Sequence, residues 1–210
     1  MPTRSQPSIL VLGVGNVLWA DEGFGVRCVE RFGARFEAEA ALSLVDGGTQ
    51  GLLLIPTLRD HERVVIFDAV DFGGAPGELS VVRDGAIPTF VGARAVSLHQ
   101  TGMQDVLALA GLLGWTPSAV TLIGVQPVLM EDYGGSLTDL VRGRIDEALD
   151  LARAEVAAWG LDLRPRERAF GDDELIAGPL ALAAYESGRP SAEDACRIGD
   201  GRVLARGRTG

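Results

Sequence analysis

The chain has 210 residues, of which 47% are hydrophobic and 23% charged, a balance typical of one folded domain with or without an appendage. Its formal net charge of −10 argues against nucleic acid as the main partner, because a phosphate backbone is bound by basic surfaces. All nineteen basic residues are arginine, which excludes a P-loop lysine, a lysine Schiff base and a lysine general base.

Strands and helices are predicted to alternate along the first 160 residues. The aliphatic segment 8–13 predicts a strand, and the apolar spacing over residues 25–36 predicts a helix. Further strands are predicted at 42–45, 63–67, 78–83 and 119–125, and further helices at 51–58, 102–113 and 137–159. The last of these helices is expected to bury one stripe made of Leu140, Ile145, Leu149, Val156 and Trp159. The strand near Glu78 follows a short glycine-rich turn and could run antiparallel. The alternation predicts an α/β fold: a twisted, mostly parallel five-stranded sheet with helices on both faces, in three layers.

The last fifty residues differ from the rest in composition. Residues 161–210 carry nine acidic residues and eight arginines, with few large apolar side chains and weak periodicity. We therefore expect an α/β domain over residues 1–160 and an irregular, flexible C-terminal extension over 161–210, with room for one short helix near 175–187.

The expected location follows from what the chain lacks. No apolar run reaches the roughly 18–20 residues that a membrane span needs, and the first residues do not resemble a secretory signal peptide. Cys28 and Cys196 lack the spacing of a zinc or redox motif and are expected to be reduced thiols. These features predict a cytoplasmic protein with no membrane partner.

A glycine-rich loop, residues 13–16 (GVGN), follows the first predicted strand. A dinucleotide-binding loop would have a third glycine at Leu18 and would lead directly into its helix. Here Asp21 and Glu22 intervene, and two carboxylates would repel a pyrophosphate. Asp21 is well explained as an N-cap of the following helix, and the same explanation would serve for Glu22 taken alone.

Three candidate ligands fall at the carboxyl side of predicted strands. Glu22 follows the first strand, Asp68 ends the third, and His99 precedes the helix that leads to the fifth. Because the carboxyl ends of parallel strands converge on one crevice, we expect these side chains to face one another. One imidazole and two carboxylates can hold a divalent ion and leave coordination positions open. Each residue also has a plain structural explanation, since Asp68 can cap a turn and His99 can cap a helix.

Other reactive side chains are weaker candidates. His61 lies in a charged stretch and is expected to be a solvated surface residue. Asp71 shares the loop of Asp68 and is expected to be exposed, and Cys28 is expected to be a core thiol. The sequence contains no Gly-x-Ser-x-Gly nucleophile elbow, so serine hydrolase chemistry is disfavoured.

At four places, in order along the chain, the sequence resembles the nickel–iron hydrogenase maturation endopeptidases. The four blocks are residues 9–27 (ILVLGVGNVLWADEGFGVR), 46–49 (DGGT), 67–70 (FDAV) and 97–102 (SLHQTG). The resemblance covers residues 8–160 and does not include the extension after Leu161.

The resemblance implies an enzyme that removes the C-terminal extension of the nickel-loaded large subunit of a nickel–iron hydrogenase. It implies that Glu22, Asp68 and His99 bind metal, and we expect the same three residues to carry the catalysis. We expect the nickel to be supplied by the substrate, since three side chains without a second histidine or a cysteine should hold an ion weakly. The expected partner is the large-subunit precursor, bound transiently by a monomer.

Asp46, Gly47 and Gly48 are secondary candidates, for recognition of the substrate's tail. An Asx turn in which Gly47 supplies a positive φ is an equally good explanation for this motif. Two other functions stay open at this point. A nickel-sensing chaperone could bind the precursor through the same three ligands without cutting it, and a nucleotide-binding α/β enzyme could use the glycine loop.

Overall fold

The computed structural model describes residues 8–38, 41–87, 106, 108–167, 175 and 178–189. The strands are β1 (Ile9–Val14), β2 (Phe36–Glu37), β3 (Leu42–Gly48), β4 (Arg63–Ala69), β5 (Leu79–Arg83), β6 (Ala119–Val125) and β7 (Arg164–Pro165). The helices with full bounds are α1 (Phe24–Arg35), α2 (Ile55–Arg59), α3 (Asp139–Arg142), α4 (Ile145–Ala158) and α5 (Leu182–Gly188), and residues 108–112 are also helical. Short 3-10 turns occupy Ala20–Gly23, Gly51–Leu54, Asp84–Ala86 and Gly178–Leu180. Among the described helices, none is long and apolar enough to cross a bilayer.

The central sheet has five strands in the order β3-β1-β4-β6-β5. β1 pairs in parallel with β3 and β4, and β4 pairs in parallel with β6, whereas β5 is antiparallel to β6. β5 runs antiparallel because the chain turns back at the carboxyl edge of the sheet after β4, without a helical crossover. The predicted fold class is confirmed, and the antiparallel alternative for the strand near Glu78 is the one observed.

Both faces of the sheet are covered by helices, as predicted. Side chains alternate between the two faces along each strand. One face packs against α1 and α4 and includes Ile9, Val11, Val65, Phe67, Ile123 and Val125. The other packs against the segment 51–58 and the helix that contains Val106, and includes Leu10, Leu12, Val64, Ile66 and Leu122. This double burial explains why the central strands are continuous apolar runs rather than alternating ones.

The helix predicted over residues 137–159 is wrong in one respect, because it is two helices. α3 ends at Gly143, and α4 begins two residues later. Leu140 was expected in the buried stripe, but it is 46% exposed and lies over Gly77. The interruption breaks the helical phase, so the apolar periodicity of α4 does not extend back into α3. Ile145, Leu149 and Val156 are buried as predicted.

The described parts of the C-terminal extension contact the α/β domain. β7 pairs antiparallel with β2, which follows α1 directly. α5 lies within and just beyond the short helix expected near residues 175–187. Its first backbone N–H, at Leu182, donates to Glu30 Oε1 of α1 at 2.8 Å, and Ser136 Oγ donates to Glu186 Oε1 at 2.6 Å. The domain boundary at residue 160 and the flexibility of 161–210 stay predictions.

Candidate active site

The candidate site lies at the carboxyl edge of the sheet, between its two central strands. β1 and β4 are neighbours, and the chain leaves them in opposite directions along the sheet, from β1 to β3 and from β4 towards β5 and β6. Loops diverge at such a switch point and leave a crevice in which ligands bind. Glu22 lies in the 3-10 turn that follows β1, and Asp68 is the next-to-last residue of β4. Both carboxyl groups therefore belong to this edge.

Close backbone packing holds the turn that carries Glu22 against the end of β4. A Cβ atom on Gly25 would lie 2.1 Å from the carbonyl oxygen of Phe67 and 2.2 Å from that of Val14. Only glycine fits at this position, because real Cβ atoms do not approach backbone oxygens so closely. The start of α1 is thereby pressed onto β1 and β4 together.

The glycine loop is closed by its own chain. Gly15 has a φ of +132°, and a Cβ there would lie 1.9 Å from the carbonyl oxygen of Glu22. The N–H of Asn16 donates to that same oxygen at 3.2 Å, and the N–H of Gly15 donates to the carbonyl of Gly48 at 2.9 Å. Both loop amides therefore donate to backbone carbonyls, one in the candidate site and one in the second glycine motif. A bound phosphate would need these same N–H groups as donors.

Asp68 is buried and incompletely satisfied. It is 1% exposed, and among the described residues its Oδ1 has no hydrogen-bond partner. Burial raises the pKa of Asp68 well above its usual range, although a hydrogen bond from the Ala69 N–H lowers it and the charge of Glu22 raises it further. A buried carboxyl group with one oxygen left without a partner is characteristic of a functional site.

Glu22 is the second carboxyl group of the crevice. It is half-buried, and burial raises the pKa of Glu22 from 4.5 to about 7. Its effect on the pKa of Asp68 shows that the two groups interact through space. A carboxyl group that titrates near neutrality can exchange a proton with substrate or water, or lose its proton to a bound cation.

The third predicted ligand, His99, lies outside the described residues. Within the ranges that the structure describes, no group of three histidine, cysteine, aspartate or glutamate side chains is arranged to hold a metal ion. The structure therefore brings Glu22 and Asp68 to one edge, and the roles of all three residues stay predictions.

Asp21 has a different role from the predicted N-cap. The N-cap residue of α1 is Gly23, and no side chain caps that helix. The Asp21 carboxylate is fully buried and accepts four hydrogen bonds. Its donors are Val128 N at 2.9 Å, Leu129 N at 2.9 Å, Thr138 N at 2.7 Å and Thr138 Oγ1 at 3.1 Å. The N-cap prediction fails because these donors come from the loop after β6, more than one hundred residues away in sequence.

Gln126 is a site-shaping residue that the sequence analysis did not single out. Its Oε1 accepts hydrogen bonds from the N–H groups of Phe72, Gly73 and Gly74 at 3.0–3.1 Å, and its Nε2 donates to Asp71 Oδ1 at 3.0 Å. This 8%-exposed glutamine therefore fixes the loop that follows Asp68. Its position directly after a buried strand was the available signal. Asp71, expected to be exposed, is partly buried in this network.

Comparisons with known proteins identify the family. A family model described as hydrogenase maturation protease matches residues 26–155, more than half of the chain. The chain is 54% identical over 204 residues to the hydrogenase expression/formation protein HupD of Rhodobacter capsulatus, covering 97% of this chain and 96% of that protein. It is also 38% identical over 160 residues to the hydrogenase 2 maturation protease of Escherichia coli K12, covering 76% of this chain and 96% of that protein. The chain belongs to the hydrogenase maturation protease family.

Solved structures of this family agree with the fold. The hydrogenase maturating endopeptidase HybD of Escherichia coli superposes with a TM-score of 0.71 at 36% identity, covering 75% of this chain and 97% of that one. The hydrogenase 2 maturation peptidase of a Thaumarchaeota archaeon gives 0.55 at 31% identity, covering 71% and 97%. The predicted enzyme class, a hydrogenase maturation endopeptidase, is confirmed. The alignment with HupD also takes in most of residues 161–210, where the motif resemblance had ended.

The second glycine motif of this maturation protease forms an Asx turn. Asp46 Oδ1 accepts a hydrogen bond from the Gly48 N–H at 2.9 Å. The positive φ, +45°, is at Gly48 and not at Gly47 as expected. Gly47 is instead the extra residue of a bulge, because Asp46 pairs with Gly13 and Gly48 with Val14 in the β1–β3 register. Burial raises the pKa of Asp46, although the Gly48 N–H lowers it. The recognition role of the motif stays a prediction.

Two further residues of the protease have structural roles. His61 was expected to be solvated, but its Nδ1 lies 2.7 Å from the Thr57 carbonyl oxygen and its Nε2 lies 2.8 Å from Ser43 Oγ. Both ring nitrogens are engaged, so His61 joins α2 to β3. Cys28 is buried as predicted, and burial raises the pKa of its thiol, which makes it a poor nucleophile.

Proposed function

We propose that this protease removes the C-terminal extension of the nickel-loaded large subunit of a nickel–iron hydrogenase, and that Glu22, Asp68 and His99 bind the nickel that the substrate carries. The observation that supports this most is the Asp68 carboxyl group, which is buried beside Glu22 with one oxygen lacking a partner among the described residues. A cation delivered to this crevice would complete that carboxyl group.

The chemistry of the donors fits a divalent cation. Burial raises the pKa of both Glu22 and Asp68, and the charge of Glu22 raises the pKa of Asp68 further. A bound cation would offset both the cost of burying the carboxylates and the repulsion between them, because its positive charge takes the place of the water that burial excludes. Carboxylate oxygens combined with one imidazole suit a borderline metal such as nickel. When bound there, nickel would polarise the scissile carbonyl and lower the pKa of a coordinated water.

The small number of proposed protein ligands supports the proposal that the cation arrives with the substrate. Two carboxylates and one imidazole leave coordination positions open for groups of the precursor. Both carboxyl groups must also lose a proton before they bind a cation, which weakens the affinity of the protease alone at neutral pH. Nickel in the precursor would then be a condition for cleavage.

Of the two carboxyl groups, Glu22 is the better general base. It is only half-buried, so an attacking water can reach its carboxylate. Asp68 is too deeply buried to exchange protons with an attacking water as readily. Glu22 would accept the proton of the attacking water and pass it to the leaving amine.

The second glycine motif is proposed to contact the tail of the precursor. The carbonyl of Gly48 accepts from the N–H of Gly15 and so connects the motif to the loop that holds Glu22. Leu52 and Leu53 follow the motif and are 51% and 76% exposed, which provides apolar surface beside it. Asp46 would supply the polar contact.

The decisive experiment incubates purified protease with nickel-loaded precursor and measures the mass of the large subunit. We expect the mass to fall by that of the C-terminal extension, and we expect precursor without nickel to remain uncut. Glu22→Gln, Asp68→Asn and His99→Ala should each abolish cleavage in a folded protein, whereas Asp146→Asn, on the exposed face of α4, should not. Full cleavage by any two of the three site variants would discard the site. Stable binding of an uncut precursor by the wild-type protein would favour the chaperone function.

A further inference from the structure

We infer that Asp21 is a positioning residue for this peptidase: its buried carboxylate fixes the segment 128–138 to the turn that carries Glu22, and so sets the place of Glu22 beside Asp68. This inference rests on the proposed function only in that Glu22 acts in cleavage. Asp21 itself is fully buried and is not placed to touch substrate.

The Asp21 site requires a carboxylate. All four of its partners are donors: the N–H groups of Val128, Leu129 and Thr138, and the hydroxyl of Thr138. Asparagine has nearly the same shape, but even with its oxygen in the place of Oδ2 its amide nitrogen, a donor, would face the Thr138 N–H at 2.7 Å. Because hydrogen bonds to a charged acceptor are among the stronger ones, the arrangement specifies this side chain.

The connection between the two segments is reciprocal. The N–H of Asp21 donates to the carbonyl of Leu129 at 3.0 Å, in the direction opposite to the side-chain bonds. Further along, the N–H of Gly134 donates to the carbonyl of Leu18 at 2.7 Å. The rings of Trp19 and Tyr133 meet edge to face, with centroids 5.3 Å apart. The two segments are thus joined at both ends of 18–21: through Leu18 and Trp19 at one end, and through the buried Asp21 at the other.

Glu22 depends on this joint through its backbone. Its N–H donates to the carbonyl of Trp19 at 3.0 Å, and its carbonyl accepts from the N–H of Asn16 at 3.2 Å, so the residue is held within the same turn. A shift of the turn relative to segment 128–138 would move the Glu22 carboxylate relative to Asp68, which is fixed in the central strand β4. Displacements of about 1 Å in a catalytic group are sufficient to lower the rate of the chemical step.

The test compares variants that loosen the joint with a variant that only destabilises the fold. Asp21→Asn removes the carboxylate. Thr138→Val removes one donor, the hydroxyl, together with the α3 cap in which that hydroxyl accepts from the Val141 N–H at 3.5 Å, and keeps the backbone donor. Val156→Ala opens a small void at α4, where Val156 is fully buried in the core and makes none of the hydrogen bonds of the Asp21 joint. kcat and KM are measured on nickel-loaded precursor at a temperature at which thermal unfolding followed by circular dichroism shows each variant to be folded.

For Asp21→Asn we expect kcat to fall about 10- to 100-fold, as for residues that orient ligands in metal sites, with KM changed by less than about 3-fold. Thr138→Val should show a smaller loss of kcat, and Val156→Ala should keep the wild-type kcat. A folded Asp21→Asn with wild-type kcat would overturn the inference, and so would an equal loss in Val156→Ala. If Asp21→Asn does not fold, a wild-type kcat for Thr138→Val overturns it. Failure of the wild-type protein to cut the precursor would instead overturn the proposed function.

Discussion

Two buried aspartates at the same edge of the sheet differ sharply in their hydrogen bonding. Asp21 is 0% exposed and accepts four hydrogen bonds from the loop after β6. Asp68 is 1% exposed, and one of its oxygens has no partner among the described residues. Burial depth is therefore the same, and hydrogen bonding distinguishes them.

The comparison separates a structural carboxylate from a candidate reactive one. Leaving a buried polar group without a partner costs about 1–3 kcal/mol, and the cost is greater for a charge. Within the part of the chain that the structure describes, Asp21 has a full set of hydrogen-bond partners and Asp68 does not. A buried carboxyl oxygen without a hydrogen-bond partner is available to bind a proton or a cation. A carboxylate whose oxygens already accept hydrogen bonds contributes to the stability of the fold instead. Substitutions at the two positions should therefore have effects of opposite sign on stability.

The largest effect is expected on cleavage by Asp68→Asn. The amide cannot bind a cation as a carboxylate does, so the rate of precursor processing should fall by about 10²–10⁴-fold. In the same variant, the free energy of unfolding at pH 8 should rise by about 1 kcal/mol, because the buried ionisable group is gone. Denaturant unfolding and the mass of the product measure the two quantities. A loss of stability of 2 kcal/mol or more would place Asp68 in the same class as Asp21, with Asp146→Asn as the neutral reference.

The next largest effect is expected on the stability of Asp21→Asn. The Thr138 N–H would face an amide donor in a buried site and the three donors to Oδ2 would lose a charged acceptor, so the free energy of unfolding should fall by about 2–4 kcal/mol. Urea unfolding of Asp21→Asn and Asp68→Asn in parallel gives the comparison directly. Equal changes of the same sign would mean that hydrogen bonding does not separate the two aspartates.

A smaller effect, dependent on pH, is expected at Glu22. Burial raises the pKa of Glu22 to about 7 in the folded protein, above its unfolded value of 4.5, so the stability it contributes is complete below pH 4.5 and is lost as the pH rises through 7. Wild-type protein without metal should therefore lose about 1–2 kcal/mol relative to Glu22→Gln between pH 5 and pH 8, after allowance for partial exposure. Unfolding curves at several pH values test this. Glu147→Gln, on the surface of α4, should track the wild type throughout.

The smallest effect is expected at Gln126. Gln126→Ala would leave the N–H groups of Phe72, Gly73 and Gly74 without their shared acceptor. Gly73 and Gly74 lie near solvent, where water can replace the lost bonds, so the loss of stability should be about 1 kcal/mol. Faster amide hydrogen exchange confined to residues 71–74 is the specific signature. Unchanged exchange there would show that the loop is held by other contacts.

The sheet could be predicted from the sequence, but the hydrogen-bond partners of the polar residues could not. β6 was predicted over its observed span because it is buried on both faces and reads as a continuous apolar run between turn residues. Asp21 and Glu22 are adjacent acids with the same local surroundings in the sequence, and nothing local distinguishes them. What separates them is a set of donors at Val128, Leu129 and Thr138, which only the folded chain brings to Asp21. Gln126 was missed for the same reason, and His99 lies outside the described residues.

The docked helix α5 has a consequence for the shorter members of the family. Glu30 of α1 accepts a backbone N–H from α5, Arg142 of α3 pairs with Glu186, and Tyr185 lies over the guanidinium of Arg27. The protease of Escherichia coli matches only about three quarters of this chain while almost its whole length is covered. A relative that ended before α5 would leave the equivalent of this junction open to water, and any charges there would need hydration or new counterions. The extension thus supplies polar partners to Arg27 and Glu30 of α1 and a counterion to Arg142 of α3.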